Sequence, residues 1–210
     1  MPSCCALLRI AGHETQGAMP RLFTGLEIPP QVAQSLAMMR GGLPGARWID
    51  PENYHLTLRF IGDIDDGLAR DIASLLGGVQ RAPFELRLDG LSSFGGRKPR
   101  ALVAVAVPVA PLMDLHAEHE RLLQRLGLEP EGRKYMPHVA LARLRDSSSR
   151  QVADYLAARG YFRSLRFEVS RFVLFSARSQ GGGPPYLTEA TYELRNRAYA
   201  DSPISCHSTG

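Results

Sequence analysis

The sequence predicts an α+β fold that is bilobal, with two pseudo-symmetric lobes, each built from an antiparallel sheet with helices on its outer face, and a groove between them. Three observations support this. The order of strands and helices repeats along the 210 residues. Each half of the chain has a short alternating stretch that begins with a histidine, His55-Leu56-Thr57-Leu58 and His138-Val139-Ala140-Leu141. The apolar run over residues 101–107 indicates a buried central strand. One histidine strand from each lobe would then face the other across the groove.

The first half begins with a strand over residues 21–28. Pro29 and Pro30 end it and begin a helix that continues to about Arg40, since proline is favoured in the first turn. The other predicted elements of this half are a strand over 55–62, a helix over 65–77, and strands over 84–88 and 101–107. The second half repeats the order with a helix over 112–126, a strand at His138, a helix over 150–159, and a hairpin of strands over 167–175 and 186–194.

Composition is that of an ordinary globular protein, with 44% apolar and 22% charged residues. We expect one bilobal domain over residues 20–197, a disordered extension over 1–19 and a flexible tail over 198–210. No apolar run reaches the roughly 18 residues of a membrane span. The three cysteines form no disulfide framework, which fits a reducing cytoplasm.

The net charge is +4, and almost every basic residue is arginine. The planar guanidinium binds phosphate through two parallel hydrogen bonds, so this composition is compatible with nucleic-acid binding. Codon bias in a GC-rich genome, with ordinary solvated faces, explains the same composition. Net charge describes association rather than fold, and both interpretations stay open here.

The two histidine stretches carry the chemistry. Alternation along a strand puts His55 and Thr57 on one face and the leucines on the other. Two such strands facing each other would present two imidazoles to one small ligand, as a general acid/base pair requires. A single stretch of this kind is more often a hydrogen-bonded strand histidine, but its repetition favours a site made by His55 and His138.

Five segments in order strengthen this interpretation: RLFTGLEIPP, RWIDPENYHLTLRFIGDI, FELRLDGLSSFGGRKPRALVAVA, LGLEPEGRKYMPHVALARLR and FEVSRFVLFSARSQGGGPPY. The sequence resembles the 2H phosphoesterase superfamily and, within it, the RNA 2′,3′-cyclic phosphodiesterase family, also known as 2′-5′ RNA ligases. The resemblance spans about residues 20–194. It implies a bilobal fold and metal-free hydrolysis of RNA 2′,3′-cyclic phosphate ends to 2′-phosphomonoesters, with no cofactor. The implied partners are RNA ends or nucleotides carrying the cyclic phosphate, with no membrane, and we expect a monomer.

In this scheme His55 and His138 are the catalytic pair, and which is acid and which is base stays open. Thr57 and Arg143 are candidates to hold the phosphate oxygens. The family's second motif carries Thr or Ser where this chain has Ala140. A missing hydroxyl is compatible with a slower enzyme, with a shifted substrate preference, or with a non-catalytic module that binds RNA ends or nucleotides. Ligation, in which a 5′-hydroxyl replaces water, is a further alternative.

Four other side chains are candidate substrate contacts. Arg59 could contact the nucleotide or be an exposed strand-end arginine, and Trp48 and Tyr135 are candidates to stack on a base. Phe60 is also a stacking candidate, although core packing is favoured for it.

Two further features have alternative interpretations. The basic segment Gly96-Arg97-Lys98-Pro99-Arg100 fits either an RNA backbone contact or a solvated hairpin turn. His116 and His119 have i, i+3 spacing on a helix, but a solvated face is favoured over a metal site, since no third ligand is indicated.

Overall fold

The computed structural model describes residues 21–177 and 186–195. The expected extension over 1–19 and the tail over 198–210 lie outside the described residues, as do the cysteines. Among the described helices, none is long and apolar enough to cross a membrane.

Ten strands and four helices are described. The strands are β1 (Arg21–Glu27), β2 (Ala46–Trp48), β3 (His55–Asp63), β4 (Phe84–Leu86), β5 (Leu88–Phe94), β6 (Ala101–Ala106), β7 (His138–Leu144), β8 (Phe167–Val169), β9 (Arg171–Ala177) and β10 (Tyr186–Glu193). The helices are α1 (Pro30–Ala37), α2 (Asp66–Leu76), α3 (Ala110–Arg125) and α4 (Ser149–Arg159). A short 3₁₀ helix, Pro51–Asn53, precedes β3.

Local sequence explains where the helices begin. Pro30 is the first residue of α1, where the missing amide hydrogen has no effect on the helix. The Asp65 side chain accepts from the amide of Leu68 and begins α2. Ser148 and Gln151 form a reciprocal capping box at the start of α4. These three boundaries follow the sequence prediction to within a residue or two.

The strands form two antiparallel sheets. The main sheet has the order β10-β9-β1-β3-β7-β6-β5, with β2 beside β7, and a small second sheet pairs β4 with β8. Strands β1, β3, β9 and β10, covered by α2 and α3, form lobe I, since Tyr192 of β10 donates to the Ala73 carbonyl of α2 and Thr24 of β1 bonds His119 of α3. Strands β2, β5, β6 and β7, covered by α1 and α4, form lobe II.

The predicted bilobal α+β fold is confirmed, with one histidine strand in each lobe. The lobes are not the two halves of the chain, however. Lobe I contains β1 and β3 from the first half but α3, β9 and β10 from the second. The chain therefore crosses between the lobes several times, which ties them into one unit.

Two predicted strands are each divided in the structure. The expected strand over 84–88 separates into β4 and β5, and the one over 167–175 separates into β8 and β9. In both places the chain leaves the small sheet and enters the main sheet within one residue, Arg87 or Ser170. Hydrophobic alternation continues through both points, so it does not mark the change of partner. The short strand β2 was not predicted.

Candidate active site

Among the described residues, the strands of the two lobes are paired in the main sheet at one residue pair, Leu56 of β3 opposite Val139 of β7. Both side chains are fully buried in the core. In an antiparallel pair this register directs His55 toward Ala140 and Thr57 toward His138, with all four side chains on the opposite, groove face. The predicted meeting of the two histidine strands is therefore present at the centre of the main sheet.

Both imidazoles are oriented in the same way. The Nδ1 atom of His55 lies 2.9 Å from the Asn53 carbonyl oxygen, and that of His138 lies 2.7 Å from the Met136 carbonyl oxygen. A carbonyl oxygen only accepts, so Nδ1 carries the hydrogen in each ring. The Nε2 atom is then the free nitrogen, with no partner among the described residues. Each lead-in turn therefore fixes one tautomer and leaves one nitrogen for proton transfer.

Aromatic rings surround the two histidines unequally. His55 packs against Phe23 at 4.9 Å, Phe175 at 5.8 Å and the edge of Tyr186 at 4.8 Å, measured between ring centroids. Among the described side chains, His138 has one such neighbour, Phe94 at 4.7 Å. Sequence reasoning missed these rings, because they come from β1, β9, β10 and β5, and strand order cannot be read from alternation.

The more enclosed position of His55 affects its protonation. Burial lowers the pKa of His55 below its ordinary 6.5, the hydrogen bond to Asn53 opposes this, and the positive charge of protonated His138 lowers the pKa further. Desolvation disfavours the imidazolium, and so does a like charge nearby. Burial therefore favours the neutral form of His55.

A β-bulge follows each histidine stretch. On β3, Thr57 pairs with Gly25 and Arg59 with Thr24, so Leu58 has no residue opposite it. On β7, Ala140 pairs with Val103 and Ala142 with Leu102, which leaves Leu141 as the extra residue. A bulge adds one residue and reverses the faces beyond it. The burial pattern of the first six residues is consequently the same in both strands.

This bulge corrects the position expected for Arg59. Simple alternation would put Arg59 on the face of His55, but it lies on the helix side of the sheet and is buried. Its guanidinium binds the Glu120 carboxylate and the carbonyl oxygens of Phe60 and Glu129. Arg59 is thus a structural residue beneath the site, and we leave it out of the proposed substrate contacts.

Phe60 and Arg143 occupy the equivalent positions of the two strands, each beyond its bulge on the groove face. The Phe60 side chain is 60% exposed, and its ring lies 5.8 Å from that of Phe23 beside His55. The core packing favoured for Phe60 is therefore wrong, and stacking on a base fits its exposure. Arg143 is exposed and forms no ion pair within residues 21–177 and 186–195, as a phosphate-binding arginine requires.

Trp48 and Tyr135 have neighbours that their sequence position did not indicate. Trp48 is opposite Ala142 on the core face of lobe II and packs against Tyr155 at 6.1 Å, so we also leave it out of the substrate contacts. The Tyr135 hydroxyl donates to the Thr57 carbonyl at 3.0 Å, and its ring stacks on His116 at 3.7 Å. Tyr135 therefore links the lead-in of β7 to β3 and positions the site without facing it.

The two helix histidines do not form the expected solvated face. His119 is fully buried, its Nδ1 lies 2.9 Å from the Thr24 hydroxyl, and burial lowers its pKa to about 3. His116 is covered by the Tyr135 ring. Across the described part of the chain, no three His, Cys, Asp or Glu side chains converge as metal ligands would.

A cavity of about 620 Å³ opens beside His55. Phe175, Tyr186 and Thr188 form part of its wall, together with three acidic side chains, Glu27, Asp50 and Glu52. Asp50 and Glu27 pair with Arg40 and Arg171. Of these three carboxylates only Glu52 has no basic partner among the described residues, while Arg143 on the other side of the groove has no acidic partner there.

Two matched strands that each bring a histidine to one groove define a two-lobed, two-histidine phosphoesterase. Comparison with known proteins identifies the family. The sequence model described as LigT like Phosphoesterase matches residues 26–105 and 103–186. The chain belongs to this family, and the phosphoesterase resemblance seen in the sequence is confirmed.

Sequence relatives agree with this assignment, and solved structures share the fold. The RNA 2′,3′-cyclic phosphodiesterase of Aeropyrum pernix is 31% identical over 157 residues, which cover 73% of this chain and 88% of that protein. The protein of the same name from Aquifex aeolicus is 29% identical over 70% of this chain and 81% of its own length. A Thermus thermophilus structure gives a TM-score of 0.71 at 24% identity, covering 84% of this chain and 99% of its own. The E. coli LigT structure with 3′-AMP gives 0.66 at 22% identity, covering 83% and 98%.

We expect substitution of Arg59 to affect stability and substitution of Arg143 to affect phosphate binding. Arg59→Met breaks a mostly buried ion pair, so we expect it to lower the free energy of unfolding by about 2 kcal/mol or more. Arg143→Met removes an exposed, unpaired charge and should change stability by less than about 0.5 kcal/mol while weakening the binding of inorganic phosphate. Urea unfolding and calorimetric titration measure the two effects. Equal loss of stability in both variants would contradict the assignment of the faces.

Proposed function

We propose that this protein hydrolyses RNA 2′,3′-cyclic phosphate ends to 2′-phosphomonoesters by a metal-independent mechanism in which His55 and His138 are the acid/base pair. The observation that carries the proposal is the matched pair of imidazoles, each held by its own lead-in carbonyl with Nε2 free. The named activity of the Aeropyrum pernix and Aquifex aeolicus relatives supports it.

The lowered pKa of His55 favours it as the base. Neutral His55 takes a proton from water at Nε2, and the resulting hydroxide attacks phosphorus. The bond between phosphorus and the 3′-oxygen breaks on the opposite side, and protonated His138 gives its Nε2 proton to that oxygen. The products are a 2′-phosphate and a 3′-hydroxyl. Two groups on opposite sides of phosphorus satisfy the in-line geometry of phosphoryl transfer.

Charge on the phosphate oxygens requires donors that are already in place. The Arg143 guanidinium is proposed to bind them from the His138 strand, and the Thr57 hydroxyl from the His55 strand. Phe60, exposed at the end of β3, is proposed to stack on the base of the terminal nucleotide, which stabilises by roughly 1–3 kcal/mol in single-strand binders.

Ala140 keeps a second candidate in view, a module that binds RNA ends without turning them over. The pairing of Leu56 with Val139 directs residue 140 toward His55. A Thr or Ser hydroxyl at this position would therefore lie on the side from which water is proposed to attack, and Ala140 does not supply it. The free Nε2 atoms of both histidines favour the enzyme. Ligation would use the same site with a 5′-hydroxyl in place of water.

Turnover of a short RNA ending in a 2′,3′-cyclic phosphate, with EDTA present, tests the proposal. We expect a phosphatase-sensitive 2′-phosphate end, and loss of turnover by about a hundredfold or more in His55→Ala and in His138→Ala. Binding of the same RNA to these variants should persist. Activity retained in the double variant would remove the histidines from the mechanism, and binding without turnover in the unsubstituted protein would favour the module.

The pH dependence of kcat/KM separates the two histidines. We expect a bell-shaped profile whose acidic limb reports His55 and lies below pH 6.5, because burial and the His138 charge disfavour protonation. Replacing Tyr186, whose edge covers His55, with Ser should hydrate the imidazolium, raise the pKa and move the acidic limb upward. An acidic limb above pH 7, or one that Tyr186→Ser leaves in place, would assign it to another group.

The missing hydroxyl can be restored. We expect Ala140→Thr to raise kcat by about tenfold or more, since one well-placed donor is worth that much or more in comparable sites. Ala140→Val, which has a similar volume and no hydroxyl, is the matched control and should give no increase. If both variants behave alike in steady-state turnover, another donor already occupies that position.

A further inference from the structure

Four cations of lobe II that the proposed reaction does not use lie on the strand opposite Arg143 or in the turn beside it. They are Arg47 on β2 and Arg97, Lys98 and Arg100 in the turn between β5 and β6, which we name the lobe II basic edge. All four are exposed. None pairs with a carboxylate in the part of the chain that the structure describes, although ten other ion pairs occur there.

Sheet register brings this edge to the face of the site. Arg47 is directly opposite Arg143, so both side chains point to the groove face, while Trp48 points to the core. Like charges directly opposite each other in an antiparallel pair are destabilising. No described carboxylate relieves this pair, so an anion bound between the two guanidiniums would stabilise it.

The turn that carries the other three cations is held in one shape. The Arg100 amide donates to the Phe94 carbonyl at 2.7 Å, and the Ser149 hydroxyl at the start of α4 donates to the Arg97 carbonyl at 2.7 Å. The Leu144 amide at the end of β7 donates to the Arg100 carbonyl at 2.8 Å. The backbone of the turn is therefore fixed beside Arg143, so that binding there has to order the side chains of the cations but not the loop that carries them.

The charge of the opposite end of the groove gives a direction. Glu27 and Asp50 at the His55 cavity are already paired with Arg171 and Arg40, Glu52 has no basic partner among the described residues, and no Lys or Arg is among the described residues that line the cavity. From His138 the path leads past the Phe94 ring, 4.7 Å away, to the turn that begins at Gly95. For a chain of phosphates that ends at the two histidines, the path over lobe II therefore leads to the cations of the turn, whereas the described residues lining the His55 cavity offer no Lys or Arg.

We propose that the lobe II basic edge binds the backbone phosphates of the RNA chain on the 5′ side of the cyclic end. This rests on the proposed function, and it specifies the substrate as an oligonucleotide rather than a cyclic mononucleotide. Backbone contacts of this kind position a nucleic acid without reading its sequence. The edge consequently adds affinity for any RNA long enough to reach the turn.

The test compares two substrates, 2′,3′-cyclic AMP and a ten-nucleotide RNA with a 2′,3′-cyclic phosphate end. We expect kcat/KM to be at least about tenfold higher for the RNA. Arg97→Ala/Lys98→Ala should remove most of this ratio, and should reduce the slope of log Kd against log salt for the RNA by about 1.4, at about 0.7 for each phosphate contact.

The matched control is Arg121→Ala/Arg125→Ala, which removes the same charge from exposed positions on α3, outside lobe II. It should keep both the substrate ratio and the salt slope. If the control variant lost as much of the substrate ratio and of the salt slope as the turn variant, net charge alone would explain the effect and the inference would be overturned. Equal kcat/KM for both substrates in the unsubstituted protein would also overturn it, while leaving the proposed function intact.

Failure of the proposed function has a different signature, because neither substrate would then be hydrolysed. RNA affinity, measured by fluorescence anisotropy, still tests the edge in that case. A selective loss of affinity in the turn variant would support the binding surface, and equal affinity in the turn and control variants would exclude it.

Discussion

The pairing of Leu56 with Val139 joins the two lobes in the main sheet, and the position of both histidines depends on it. Each residue is fully buried and directly follows its histidine. Because neighbouring side chains on a strand point to opposite faces, burying this pair in the core directs the two imidazoles to the groove. A shift of one residue in either strand would exchange the two faces, and the cost of exposing the apolar pair opposes it.

The bulges at Leu58 and Leu141 extend this constraint beyond the seam. They return the sixth residue of each strand to the groove face, where lobe I presents Phe60 and lobe II presents Arg143. The fifth residue of each strand lies on the core side of the sheet. In lobe II this residue is Ala142, and in lobe I it is Arg59, whose charge is neutralised by Glu120. The frame is therefore symmetric, and the side chains placed on it are not.

The histidine pair and the two-lobed α+β fold were predictable from the sequence because alternation, turn residues and repetition are local signals. Arg59 was misplaced because a bulge has no local signature when all the flanking residues can occupy a strand. Phe94 and Phe175 reach the site through strand pairings of long sequence separation, which alternation does not encode. Division of the predicted strand over 84–88 had the same cause, since a change of sheet leaves the hydrophobic pattern unbroken.

The backbones of the two histidine strands are matched, but the side chains around His55 and His138 differ. His55 lies among three aromatic rings beside the cavity, and burial lowers its pKa. Within the described residues, His138 lies against one ring, and the arginines of β2 and β7 near it have no carboxylate partner. A cyclic phosphate has one ester oxygen that must leave and one that must stay, so two identical histidines would not distinguish them. In the proposed reaction, unequal burial makes His55 the base and the unpaired cations of lobe II orient the RNA chain, so that the same difference between the lobes underlies both proposals.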